Sequence, residues 1–169
     1  MKKVIFTIET NERLTDSVYK MTLSGDTSGI ERPGQFVNIQ LDGLYLRRPI
    51  SVCDYESGKL TIIYKVVGKG TAAMAGMAAG MELDILTGLG NGYDTSLSGE
   101  TPLLLGGGVG VPPMYNLAKK LVADGREVKV ILGFNTASEV FYEEEFKALG
   151  CEVTVTTVDG SKGIKGFVT

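Results

Sequence analysis

Over the first 87 residues, apolar and polar positions alternate in short runs, the period of a strand that buries one face. Such runs occupy 3–10, 17–24, 35–41, 48–54, 59–66 and 81–87, and each carries β-branched or aromatic residues. Turn-forming clusters separate them, at Thr10-Asn11-Glu12, Gly25-Asp26, Arg32-Pro33-Gly34, Leu41-Asp42-Gly43 and Glu56-Ser57-Gly58. Six short strands at this spacing predict a small antiparallel barrel. One helix interrupts them at 71–78, rich in Ala and Met and closed by Gly80. Its Met74 and Met77, with Met81 just beyond, are expected to pack against the barrel wall.

From residue 101 the pattern becomes strand, helix, strand, helix, strand, which reads as a parallel sheet covered by helices. Met114, Leu117, Ala118, Leu121 and Val122 recur on one helical face, and Gly125 stops that helix. A strand follows at 127–134. Ser138 is then suited to cap a second helix whose apolar side carries Phe141, Phe146 and Leu149, ending at Gly150. A third strand is expected at 151–158 and no further element after Asp159-Gly160-Ser161-Lys162-Gly163. The predicted class is therefore β followed by α/β. A six-stranded antiparallel barrel (1–100) leads into a partial, doubly wound parallel domain (101–169), and the boundary falls at 98–102. Three parallel strands make a short open sheet, so the second domain is expected to be C-terminally incomplete.

Composition narrows the chemistry. With 43% hydrophobic and 22% charged residues, the 169-residue chain can bury a core, so disorder is not the default. The net charge of −3 and the lack of a basic block argue against a nucleic-acid partner. No apolar run approaches the roughly 20 residues of a membrane span, so no membrane is expected and the predicted location is cytoplasmic. Histidine is absent, which removes imidazole bases, His-dependent triads and His-ligated metals. The two cysteines, Cys53 and Cys151, are too few for an iron–sulfur cluster and read as small buried hydrophobes, so no metal site is predicted in this chain. Catalysis, if present, falls to a bound cofactor.

Three segments carry candidate chemistry. After the apolar run Leu103-Leu104-Leu105 comes Gly106-Gly107-Gly108-Val109-Gly110-Val111-Pro112-Pro113, where glycines allow backbone N–H groups close to a pyrophosphate at the start of a helix. A plain tight turn uses the same residues. Val111-Pro112-Pro113 stands where a P-loop would need a lysine and a hydroxyl, which argues against that class. Arg47-Arg48-Pro49-Ile50-Ser51 sets a guanidinium able to pair with phosphate beside a hydroxyl able to bond a ring nitrogen; an exposed charge pair at a proline turn is the alternative. Finally, Ile63-Tyr64-Lys65 feeds into Gly68-Lys69-Gly70-Thr71 at a helix start, a second possible pyrophosphate cradle.

Taken in order, Pro33-Gly34-Gln35-Phe36-Val37, Arg48-Pro49-Ile50-Ser51, Gly70-Thr71, Gly88-Leu89-Gly90-Asn91-Gly92-Tyr93 and the loop from Gly106 to Pro113 resemble the ferredoxin-reductase-like flavoproteins. Within them the chain is most similar to the electron-transfer subunit of dihydroorotate dehydrogenase. The resemblance implies an FAD-binding barrel and an NAD-binding second domain. It assigns FAD to Arg48, Pro49, Ile50, Ser51, Ile63, Tyr64, Lys65, Gly70 and Thr71, with Ser51 near flavin N5. It assigns NAD(H), as an exchangeable substrate, to Gly106, Gly107, Gly108, Val109, Gly110 and Pro112. Hydride would pass between nicotinamide and flavin. It further implies an FMN-containing dihydroorotate-oxidising catalytic subunit as partner in a heterotetramer of pyrimidine biosynthesis. Family members carry a [2Fe-2S] cluster whose cysteines are absent here. Gly133-Phe134-Asn135 offers no arginine for a 2′-phosphate, which favours NAD over NADP. A stand-alone NAD(P)H flavin reductase, a subunit of another flavin complex, and a non-catalytic nucleotide-binding module are the alternatives.

Overall fold

Along β5 (Lys59–Lys65), Leu60, Ile62 and Tyr64 are buried inside one apolar cluster while Thr61, Ile63 and Lys65 face the other way. The same alternation governs the strands around it. In a computed structural model that describes residues 1–169, β1 (Lys2–Arg13), β2 (Val18–Ser24), β3 (Phe36–Ile39), β4 (Arg48–Glu56), β5 and β6 (Glu82–Leu89) close into an antiparallel barrel, in the order β1-β2-β5-β4-β3-β6. Closure leaves no free edge on this half. Its interior is filled by Phe6, Ile8, Met21, Leu23, Val37, Ile39, Leu60, Ile62, Tyr64, Leu83 and Ile85, among others. Helix α1 (Lys69–Ala75) lies between β5 and β6, with Met74 buried against the barrel.

The second half is a parallel sheet of β7 (Leu103–Gly107), β8 (Lys129–Phe134), β9 (Glu152–Thr157) and β10 (Ile164–Lys165), in the order β10-β9-β8-β7. Helices α2 (Pro112–Ala123) and α3 (Glu143–Ala148) connect the first three strands. The order runs in one direction away from β7, as in one wing of a doubly wound sheet. Leu104, Val130, Leu132 and Val155 from the strands meet Met114, Leu117, Ala118, Leu121 and Phe146 from the helices.

This second core does not stop at the sheet. Val18, Cys53 and Ile63, on the outside of the barrel, belong to it. Ile63 is the apolar residue that breaks the outward polar series of β5. Cys53 sits where the β4–β5 register shifts between Val52 and Asp54, a bulge that turns its side chain toward the second half. The two halves therefore share a dry seam along β4 and β5.

Several predicted details differ. No turn forms at Thr10-Asn11-Glu12. After an irregularity between Ile8 and Thr10, β1 continues to Arg13, paired to β2, and the chain reverses only where Thr15 Oγ1 accepts from the Val18 N–H (3.2 Å). Cross-strand pairing outweighs local turn preference there. Helix α1 starts earlier and is shorter than 71–78, and Met81 is 47% exposed, so it does not pack as Met74 and Met77 do. Ser138 caps no helix: it lies in a 3-10 turn (Ala137–Glu139), and α3 begins only at Glu143. Between them Tyr142 takes a left-handed conformation (φ 67°), which interrupts the helix there, and Phe141 and Tyr142 are both buried. The short β10 pairs with β9 beyond the last predicted element.

Candidate functional site

Two clefts open at the seam. The first, about 350 Å³, lies on the barrel and is lined by Arg48, Pro49, Ile50 and Ser51 from β4, Ile63, Tyr64 and Lys65 from β5, Val67 and Thr71 around the start of α1, and Val109 from the second half. Antiparallel pairing of β4 with β5 brings these separated segments together. Gly70 does not line the cleft itself but lies behind Arg48: a Cβ there would collide with Arg48 Nε, so the guanidinium lies directly across the backbone at the start of α1. Arg48 also donates to the Leu46 carbonyl.

Two of the predicted residues have structural duties as well. The Tyr64 ring is in the barrel core, stacked at 5.9 Å from that of Tyr19, and its hydroxyl donates to Asn11 Oδ1 (2.9 Å). Burial pushes its hydroxyl up to about 12, with the Asn11 hydrogen bond working the other way. Asn11 in turn donates to the carbonyls of Met74 (2.9 Å) and Met77 (2.9 Å), which ties the end of α1 to β1. Thr71 Oγ1 accepts from the N–H groups of Val67 (2.9 Å) and Gly68 (3.3 Å) and so fixes the loop entering α1.

The second cleft, about 360 Å³, lies at the C-terminal ends of β7, β8 and β9, where open α/β sheets receive ligands. Gly107, Gly108 and Val109 line one side, Gly133, Phe134, Asn135 and Glu139 another, and Thr15, Ser17, Val18 and Lys65 of the barrel face them. Phe167 and Val168 reach its floor, Val168 packing against the glycine backbone of Gly133. Gly108 has φ +52°, and a Cβ added there or at Gly110 would meet open space. The predicted glycine cradle is thus divided. Gly107, Gly108 and Val109 face the cleft; Gly106, Gly110 and Pro112 do not line it. Gly106 instead allows close packing, since a Cβ there would come 3.0 Å from Val111 Cα. The run from Gly88 to Tyr93 lines neither cleft; Tyr93 covers Gly34.

Sequence reasoning did not pick out Val67 in the first cleft, nor Thr15, Ser17, Asn135 and Glu139 in the second. Glu139 Oε2 accepts from both the backbone N–H (3.2 Å) and Nδ2 (3.0 Å) of Asn135, which puts a carboxylate at the end of β8. Only the missing arginine at this position was legible beforehand.

Neither cysteine belongs to a cleft. Burial pushes the Cys53 thiol up to about 12 and raises that of Cys151, and no group of three or more His, Cys, Asp or Glu residues is arranged to hold a metal ion. The residues of this chain do not fit an iron–sulfur cluster. No helix is long and apolar enough to cross a membrane.

Residues 104–168, which include the glycine loop and the second cleft, match the family described as the oxidoreductase NAD-binding domain. Across its full length the chain is 46% identical to the dihydroorotate dehydrogenase B (NAD(+)) electron transfer subunit of Bacillus pumilus (strain SAFR-032), covering 100% of this chain and 68% of that protein. The chain belongs to the family of dihydroorotate dehydrogenase B electron transfer subunits. The corresponding subunit of Fusobacterium nucleatum subsp. nucleatum is 50% identical over 96% of this chain and 66% of its own length. The chain thus spans about two thirds of the length of these electron transfer subunits. A solved NADH-dependent reduced ferredoxin-NADP oxidoreductase, described for flavin-based electron bifurcation, superposes with a TM-score of 0.83 at 32% identity, covering 95% of this chain and 59% of that one. A ferredoxin NADP+ reductase from Neisseria gonorrhoeae, solved with FAD and NADP, shares the fold (TM-score 0.85, 19% identity, 98% and 73% covered). Like its relatives, this electron transfer subunit is by family an oxidoreductase component.

Proposed function

We propose that the chain holds FAD in the barrel cleft, takes NAD(H) in the sheet cleft, and passes electrons between NAD and a dihydroorotate-oxidising partner subunit. The observation that carries this reading is that the two clefts meet: Lys65 and Val109 line both. A ring held against β4 and β5 and a nicotinamide entering over the glycine loop would come face to face at those residues.

The donor set fits the cofactor. Arg48, laid over the glycine backbone at the start of α1, offers charge-assisted hydrogen bonds to a phosphate, and Gly70 leaves the room that a side chain would fill. Ile50, Ile63 and Val67 give an apolar wall suited to a flat ring, and the Ser51 hydroxyl is the polar group on that wall, assigned to the N5 edge. FAD supplies the hydride chemistry when bound. The chain's own contribution is to orient the two rings and exclude water at the seam between them. Gly107 and Gly108 keep side chains out of the path of the dinucleotide. The Glu139 carboxylate at the end of β8 suits a ribose diol and repels a 2′-phosphate, which supports NAD over NADP.

In this reading residues 1–100 form the flavin unit, 101–169 the nucleotide unit, and the FMN-containing catalytic subunit of a cytoplasmic pyrimidine-biosynthetic complex is the partner. The relatives' name, an electron transfer subunit of a dihydroorotate dehydrogenase, supports the existence of a catalytic partner subunit. The test is the visible spectrum of the purified chain, identification of the flavin released on denaturation, and anaerobic addition of NADH. Stoichiometric FAD that bleaches with NADH supports the reading. A folded chain that takes up no added FAD overturns it.

A further inference from the structure

The seam carries one polar lock. Asp54 follows the bulge in β4, three residues after Ser51. Its Oδ1 accepts from the Asn116 side-chain amide (2.6 Å) and from the Tyr55 N–H (2.9 Å), and its Oδ2 accepts from Lys119 Nζ (2.9 Å). Lys119 reaches on to Glu56 Oε1 (2.9 Å). Asn116 and Lys119 stand on α2, the helix that follows directly from the glycine loop. Asn116 is buried, and the Asp54 side chain is only 18% exposed. The strand carrying the flavin-side residues and the helix carrying the nicotinamide-side loop are therefore joined through the Asp54 carboxylate, which binds both Asn116 and Lys119, and at the rim through the more exposed Glu56.

We propose that Asp54 is a positioning residue, which sets the angle between barrel and sheet and through it the approach of the nicotinamide to the flavin ring. This rests on the function proposed above. The apolar contacts among Cys53, Val18, Ile63, Tyr142 and Phe146 hold the halves together, but the hydrophobic attraction behind them is non-directional. Hydrogen bonds and a bridging cation at one carboxylate are directional, and hydride transfer is steep in distance and alignment. Asn116 tightens the requirement, because its buried amide loses its partner if Asp54 is shortened. Asp54 lines neither cleft, so it acts through the placement of α2 rather than by touching either ring.

The test uses the whole chain with Asp54→Ala, Asp54→Asn and Lys119→Arg. Flavin content is measured first, then the rate of flavin bleaching at saturating NADH in a stopped-flow instrument, together with the long-wavelength charge-transfer absorbance of the stacked rings. Asp54→Ala is expected to keep its FAD and to bleach about ten- to a hundredfold more slowly, with the charge-transfer band weakened. Asp54→Asn should fall between it and the parent, and Lys119→Arg, which keeps the cation, should retain the parent rate. A second readout needs no cofactor: nitroxide labels at Ser57→Cys on the barrel and Ala148→Cys on α3 report the distance between the halves. A narrow distance distribution that broadens with Asp54→Ala supports the positioning role. An unchanged distribution, or an unchanged bleaching rate in flavin-loaded Asp54→Ala, overturns it. A parent chain that takes no FAD overturns the proposed function instead, and the label distances still decide the role of Asp54.

Discussion

The Arg48 guanidinium lies over Gly70, so close that a Cβ on the glycine would collide with Arg48 Nε. The two residues are 22 positions apart, on β4 and α1, yet they make one surface: a cation resting on bare backbone. Removing either should disturb the same phosphate. Arg48→Ala is expected to raise the dissociation constant for FAD by roughly ten- to a hundredfold, the range for one lost hydrogen bond to a charged group. Gly70→Ala should weaken FAD in the same direction by pushing the guanidinium aside. Flavin fluorescence titrations of both variants check this; full affinity in Gly70→Ala would show that Arg48 works without that contact.

At Gly108 the space is open but the backbone is not permissive, because φ is +52°. A valine there adds bulk toward the second cleft and strains a conformation that β-branched residues avoid. Gly108→Val is expected to cut kcat/KM for NADH at least tenfold while flavin content stays at the parent level. Steady-state reduction of an artificial acceptor, with flavin content measured in parallel, separates the two effects. Unimpaired use of NADH would remove this loop from the dinucleotide site.

Both thiols should be silent in the folded chain. Cys53 is buried at the seam, its thiol pushed up to about 12 by loss of solvent, and Cys151 is shifted upward for the same reason. A disulfide reagent reacts with the thiolate, which is scarce for such groups at pH 8. Neither cysteine should titrate rapidly in native protein, and both should titrate after denaturation. Rapid native reaction at Cys53 would mean that the two halves separate readily.

Acid should loosen the loop after β9 before it unfolds the cores. Hydrogen bonds from the Ser161 hydroxyl and backbone hold Asp159 at about 2, below its ordinary 3.8. Ser161 Oγ also accepts from the Ala137 N–H (2.7 Å), so this carboxylate helps tie the loop to the turn after β8. A depressed carboxylate stabilises the folded form fully above 3.8, and that contribution fades as the pH falls toward 2. Amide protection at residues 159–163, taken relative to the intrinsic exchange rate at each pH, should therefore fall between pH 4 and pH 2, and Asp159→Asn should show the reduced protection already at pH 7. Protection that stays constant with pH in the parent chain would count against the tie.

Much of the first cleft was legible in advance because its residues come in short contiguous motifs. Arg48 to Ser51 and Ile63 to Lys65 sit on neighbouring strands, and a barrel with regular alternation leaves few ways to arrange them. The second cleft was half legible. Its glycine loop is contiguous, but Thr15 and Ser17 arrive from the β1–β2 turn and Glu139 from a 3-10 turn, and nothing in their local sequence marks them. Gly106, read as cradle, proved to be packing, since a glycine needed for close approach and one needed for a ligand look alike in a string of letters. The seam did leave one trace, the outward apolar Ile63 in an otherwise alternating strand.

By itself the sequence determined the barrel, the change to parallel α/β architecture near residue 100 and the absence of imidazole chemistry. Hydrophobic period, glycine placement and composition are local properties that act wherever the chain goes. Only the tertiary structure decided that Arg48 rests on Gly70, that the two clefts meet at Lys65 and Val109, and that Asp54 joins β4 to α2. Those contacts link residues many positions apart: the first exists only once the barrel has closed, and the other two only once the two cores have packed against each other.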